Sequence, residues 1–150
     1  MTNLKPGDKA PDFTAKDQDG NSISLKDFQG KKLVLFFYPK ASTPGCTAEA
    51  CNLSDNYSRF QKAGYEILGV SADSEKRQSN FKNKYNFQYP LLADEDKKVI
   101  EAFGVWGPKK FMGREYEGIH RTTFVIDENG IVEDVILKVK TKEHTAQILK

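Results

Sequence analysis

The two cysteines of the chain, Cys46 and Cys51, lie five residues apart behind a proline-bounded stretch, Pro39-Lys40-Ala41-Ser42-Thr43-Pro44-Gly45-Cys46. Thr43 suits a helix N-cap and Pro44 the first helical position, which places Cys46 in the first turn. Unpaired backbone N–H groups and the positive end of the helix dipole favour a thiolate there, the form of sulfur that attacks electrophiles. Thr43 adds a hydroxyl within the same turn, and Gly45 leaves the backbone open to approach. Pro39 and Pro44 stiffen the loop, as a preorganised anion site requires. Position alone leaves a second reading open, because free cysteine is also among the most buried residue types.

Cys51 gives the pair a geometric constraint. In an intact helix, residues five apart have Cα atoms about 8.7 Å apart, whereas a disulfide needs about 4.4 to 6.8 Å. The two sulfurs therefore join only if the helix unwinds locally, which describes a redox switch and not a structural staple. The alternative is a second packed thiol that never meets Cys46. Arg121, at the opening of a later strand, is either a solvated strand-end cation or a donor fork facing a thiolate and an oxygen-containing substrate. His120 precedes it with no required proton-transfer role. Glu49, one turn after Cys46, is placed to pair with an arginine or to stay in solvent.

These residues need a scaffold, and 150 residues suffice for one domain, spanning 1–150, with a core of its own. Hydrophobic residues at 38% and charged residues at 29% exclude a disordered or fibrous chain. Lys and Arg number 23 against 21 Asp and Glu, and the signs alternate without a basic tract, which argues against nucleic-acid binding. No run approaches a membrane span and residues 1–6 lack the apolar stretch of a signal peptide, so a cytoplasmic protein is expected. Two cysteines are too few for a disulfide scaffold. Cys46, Cys51, His120 and His144 could supply four zinc ligands by number, but the Cys-x4-Cys spacing does not match the usual pattern.

Residues 33–38, Leu-Val-Leu-Phe-Phe-Tyr, form a continuous apolar run that predicts a central strand buried on both faces. The helix after it should run from Thr43 to Gly64, with Cys46, Ala50, Leu53, Tyr57 and Phe60 on one face and Cys51 off it. Residues 66–71 supply the next strand and complete a right-handed βαβ unit. Ser74 should cap a second helix reaching Tyr85. A short strand over 89–92 and a helix over 94–103 follow. Residues 122–126 and 131–137 form a hairpin turned by Asn129-Gly130, and a last short helix falls within 141–150. A small hairpin around Asp17-Gln18-Asp19-Gly20-Asn21 lies near the start. A parallel βαβ followed by an antiparallel hairpin in one mixed sheet is an α/β, thioredoxin-like arrangement. Such folds carry active groups at the carboxyl ends of the parallel strands, where Cys46 falls.

With these residues in view, the chain resembles the peroxiredoxins, specifically the bacterioferritin-comigratory-protein (PrxQ) subfamily. The active-site pattern is the segment from Pro39 to Cys46. Further matches are Gly7-Asp8-Lys9-Ala10-Pro11-Asp12-Phe13, Phe103-Gly104-Val105-Trp106-Gly107, Phe111-Met112-Gly113 and residues 118–127. Asn52-Leu53-Ser54-Asp55 departs from the subfamily, where an aromatic and an arginine often precede the Asp. That bears on packing beneath Cys51 and on how readily the helix unwinds.

The resemblance implies Cys46 as the peroxidatic cysteine, Thr43 as the oxygen-positioning hydroxyl, Pro39 as a shield, Arg121 as the guanidinium and Cys51 as the resolving cysteine. It implies reduction of hydrogen peroxide and organic hydroperoxides, with thioredoxin or a similar dithiol as reductant and no metal or organic cofactor. A same-helix disulfide needs no second subunit, so a monomer is expected. Competing readings are a thiol–disulfide oxidoreductase, which usually carries Cys-x-x-Cys, a non-catalytic peroxide sensor, and a thiol-independent chaperone or structural protein.

Overall fold

A computed structural model of the chain describes residues 2–150. Its centre is a five-stranded sheet in the order β5-β4-β3-β8-β9. Strand β3 (Lys32–Phe37) lies between β4 (Tyr65–Ser71), which runs parallel to it, and β8 (Thr122–Ile126), which runs antiparallel. Strand β5 (Leu91–Ala93) pairs parallel with β4, and β9 (Val132–Ile136) antiparallel with β8. This is the mixed sheet of a thioredoxin-like fold.

The alternation along β3 shows why an unbroken apolar run belongs here. Leu33, Leu35 and Phe37 face one core with Phe103, Phe124 and Val99, while Val34, Phe36 and Tyr38 face a second core with Leu53, Phe60, Phe81 and Tyr89. Both faces are covered, as a two-sided run requires. Gly69 makes room at the centre, since a Cβ there would stand 2.8 Å from Leu91 Cδ2 and 2.9 Å from Phe36 Cζ.

The helix after β3 is divided. Helix α1 (Pro44–Asp55) and helix α2 (Tyr57–Lys62) meet at Asn56, where one continuous helix was expected. Asn56 leaves helical geometry at φ −109° and ψ 13°, and its side chain donates to the Asn52 carbonyl, the competition with the ladder that asparagine favours. The expected apolar stripe is present, with Cys46, Ala50, Leu53 and Phe60 buried and Tyr57 half-buried. Helix α3 (Glu75–Tyr85) starts as expected, with Ser74 Oγ accepting from the Arg77 N–H.

Helix α4 (Lys98–Ala102) is shorter than the acidic pattern suggested. Asp94 stays outside it, and its carboxylate accepts from the Val99 and Ile100 N–H groups at 3.3 and 2.8 Å. The terminal helix α5 (His144–Ile148) is likewise short. The β8–β9 connection is a turn over residues 127–130, closed by the Asp127 N–H to Ile131 carbonyl bond, with Gly130 alone of the turn at positive φ.

Two small hairpins flank the sheet. Strands β1 (Thr14–Lys16) and β2 (Ser22–Ser24) form the expected one, while β6 (Trp106–Phe111) and β7 (Arg114–Ile119) form one the sequence reading lacked. The N-terminal residues also border both sheet edges. Gln18 Oε1 accepts from the Leu91 N–H at 3.0 Å on β5, and the Gly7 N–H and Asp8 carbonyl bond Val132 on β9, each at 2.8 Å. Among the described residues no helix is long and apolar enough to cross a membrane.

Candidate active site

The site stands at the carboxyl end of β3, where the chain leaves the sheet at Tyr38 and turns into α1. The loop between is fixed from below by Asp73. Its Oδ2 accepts from the Ala41 N–H and from Ser71 Oγ, both at 2.7 Å. Ser42 takes a left-handed conformation with φ 66°, a strained choice for a residue with a Cβ. Pro39 is half-buried at the base of this loop. Thr43 is the extended N-cap of α1, but its hydroxyl donates to the Lys40 carbonyl at 2.8 Å and makes no cap bond. Pro44 occupies the first helical position, as its fixed φ favours.

Cys46 follows in the first turn and is 1% exposed. Its Sγ accepts from Arg121 Nη2 at 3.3 Å, while Arg121 Nη1 donates to Glu49 Oε1 at 2.7 Å. One guanidinium thus spans the sulfur and the carboxylate, across 75 residues of sequence. Burial disfavours the Arg121 cation, yet Cys46 and Glu49 outweigh it and raise the guanidinium above its ordinary value. Gly45 permits this approach, since a Cβ there would lie 3.2 Å from Nη2. Lys109 of β6 belongs to the same electrostatic neighbourhood. Burial and the Arg121 charge lower its pKa, Cys46 opposes them, and its Nζ donates to the Ile119 carbonyl at 2.9 Å.

Behind Arg121 lies a buried pair, Glu49, one of whose two expected settings was beside an arginine, and His144, which the sequence did not place here. Burial pushes Glu49 up to about 7, only partly offset by Arg121. Its Oε2 has no hydrogen-bond partner and faces His144 Nε2 at 3.5 Å. His144 Nδ1 lies 2.8 Å from the Gln147 side-chain amide oxygen Oε1, which can only accept, so Nδ1 carries the proton. Nε2 then accepts from Thr123 Oγ1 at 2.7 Å. Burial lowers the His144 pKa and keeps the ring neutral. Two acceptors face each other across 3.5 Å, which favours a protonated Glu49.

The structure therefore brings Cys46, Arg121 and Glu49 together, with Thr43 and Pro39 in the adjoining loop. Cys51 is half-buried further along α1, and both thiols are free. Burial, then the Asp55 charge, pushes the Cys51 thiol up. His120 stands apart, its Nε2 2.9 Å from the Pro108 carbonyl, where it ties β7 to β6. Asp73, Lys109 and His144 had no sequence signal beyond their residue types. Among the described residues no group of three or more His, Cys, Asp and Glu side chains is arranged to hold a metal ion.

Comparison with known proteins gives the family of the chain. The model of the AhpC/TSA family matches residues 6–135. Peroxiredoxin Bcp of Escherichia coli K12 is 49% identical over 149 residues, spanning 99% of this chain and 96% of its own length. A putative peroxiredoxin bcp of Haemophilus influenzae is 47% identical with the same coverage. Among solved structures, Xanthomonas campestris peroxiredoxin Q superposes with a TM-score of 0.87 at 37% identity, covering 99% of this chain and 94% of that one. A Xylella fastidiosa PrxQ mutant reaches a TM-score of 0.92 at 29% identity, covering 99% and 95%. By sequence and by fold, the chain belongs to the AhpC/TSA family, in the BCP/PrxQ branch of the peroxiredoxins, a family of thiol-dependent peroxidases.

Proposed function

We propose that Cys46 is the peroxidatic sulfur of a single-domain, monomeric peroxidase and that Cys51 resolves it. The observation that carries this reading is Arg121, held by Glu49 with its second nitrogen 3.3 Å from Cys46 Sγ. The Cys46 thiolate attacks the terminal oxygen of a hydroperoxide, and the O–O bond breaks. Its electron pair leaves with the other oxygen, which takes up a proton and departs as water or an alcohol. Cys46 remains as a sulfenic acid. Arg121 and the helix-start N–H groups face the oxygens on which charge develops, a preorganised arrangement that stabilises the transition state. Thr43 orients the peroxide once its hydroxyl turns from Lys40, and Pro39 shields the reacting sulfur from water.

Cys51 then attacks the Cys46 sulfur. The S–S bond forms, the S–O bond breaks, and hydroxide leaves with the Cys51 proton as water. A dithiol protein of the thioredoxin type returns two electrons through a mixed disulfide. Sulfur supplies every electron, so the cycle requires no metal or organic cofactor. Hydrogen peroxide and organic hydroperoxides fit the same attack.

Two substitutions test the assignment. Cys46→Ser should abolish peroxide consumption. Cys51→Ser should keep the rapid first oxidation, lose thioredoxin-coupled turnover, and let excess peroxide carry Cys46 to sulfinic acid. Stopped-flow traces with intact-mass analysis read both. A Cys51 variant inert in the first phase would require the two roles to be exchanged.

A further inference from the structure

Helix α1 is tied to the rest of the molecule unevenly along its length. Outside the helix's own ladder, and among the described residues, hydrogen bonds reach residues 44–49 through one side chain, Arg121, on Cys46 and Glu49. From Ala50 onward the ties are neutral and several. Tyr89 Oη donates to the Ala50 carbonyl at 2.6 Å inside the core. Asn52 Nδ2 donates to the Lys142 carbonyl at 3.0 Å, and its Oδ1 accepts from the Thr145 N–H at 2.7 Å. The Asn52 carbonyl accepts from Thr145 Oγ1 at 3.1 Å. Ser54 bonds Gln88 through its hydroxyl and its carbonyl. The segment that grips Asn52 is itself seated by His144, fully buried against Thr123.

Oxidation acts on only one of these halves. When Cys46 becomes a sulfenic acid, the sulfur loses its negative charge and the charge-assisted bond from Arg121 weakens. The bonds at Ala50, Asn52 and Ser54 involve neutral groups and are untouched. Opening residues 44–49 then frees Cys46 from the first turns, while the ladder bonds accepted by carbonyls 50 and 51 remain.

We propose that Asn52 is a positioning residue for the resolving step. Clamped to residues 142–145, it holds its neighbour Cys51 in place, so that Cys46 is the sulfur that travels. The inference rests on the Cys46–Cys51 disulfide of the proposed function. A held target keeps the effective concentration of the resolving thiol high, whereas a helix fraying through both cysteines would put both sulfurs on mobile chain.

The test follows a single turnover with one equivalent of hydrogen peroxide, quenched and read by intact mass, in the wild type, Asn52→Ala and Thr145→Val. In Asn52→Ala the bimolecular oxidation of Cys46 should be unchanged and disulfide formation about fivefold to tenfold slower, as loss of the two side-chain hydrogen bonds to residues 142–145 allows. The sulfinic fraction under excess peroxide should rise in proportion. Thr145→Val keeps its N–H bond to Asn52 and should slow the step about twofold to threefold, as loss of one such bond allows. Asn52→Asp, which retains that acceptor, should recover part of the rate. Amide exchange on the oxidised wild type should show protection lost over residues 47–51 and kept over 54–56. Disulfide formation that is faster, or unchanged, in both Asn52→Ala and Thr145→Val overturns the proposal. A wild type that never forms the disulfide overturns the reading beneath it, and this proposal with it.

Discussion

A methyl group at Gly45 would stand 3.2 Å from Arg121 Nη2, whose neighbouring nitrogen is pinned to Glu49 at 2.7 Å. The guanidinium cannot withdraw without breaking that hydrogen bond or leaving the sulfur. Gly45→Ala should therefore separate activity from stability. Alanine is the better helix former by up to about 1 kcal/mol, so urea unfolding should show stability kept or raised. The first-turnover rate constant should fall about tenfold, or about 1.4 kcal/mol of transition-state stabilisation. An unchanged rate would mean that the Arg121–sulfur contact contributes nothing to the attack.

Glu49 carries a second expectation at this scale. Its folded pKa of about 7 lies above the ordinary 4.5, so between those values the native state holds a proton that the unfolded state has released. Stability should fall as pH rises through that interval, by a total on the order of 3 kcal/mol. His144 has the opposite sign, because a neutral buried ring costs stability only as pH drops below its ordinary 6.5. Glu49→Gln should flatten the decline between pH 5 and 8 in urea titrations. Equal slopes for variant and wild type would show that Glu49 is ionised throughout.

At the scale of elements, β4 crosses its neighbours at a place where only glycine fits. A Cβ at Gly69 would meet Leu91 and Phe36 below ordinary contact distance, and both are core side chains. Gly69→Ala should cost about 1 to 3 kcal/mol by overpacking, read as a lowered urea midpoint with an unchanged slope. Strands such as β3 were legible because an unbroken apolar run has one reading, burial on both faces. The β6–β7 hairpin was not, since Gly107, Pro108 and Gly118 interrupt it and residues 113–117 are exposed, leaving no alternation. The break at Asn56 depends on a single side chain reaching a carbonyl, a contact with no periodic trace. At the site, Cys46 and Thr43 were legible from local spacing. Arg121 was legible only as one of two readings, a solvated cation or a donor to a thiolate, because 75 residues separate it from the sulfur it touches. Asp73 and His144 act through contacts that fold alone creates.

For the whole molecule, the bonds at the two sheet margins bear on how copies of the chain treat one another. A sheet edge with free N–H and C=O groups is a template for any passing strand. Here residues 7–18 border that template on both sides, through Gln18 against Leu91 and through Gly7 and Asp8 against Val132. Gln18→Met should remove the acceptor for the Leu91 N–H while filling the same space. Light scattering on heating should then rise earlier than in the wild type at equal protein concentration, with peroxide turnover unaffected. Scattering curves that coincide would show that β5 is too short to recruit a neighbour. If the scattering rises early, the N-terminal segment is a guard against self-association, and a chain that opens one helix in the cycle we propose would keep its sheet from other copies while it does so.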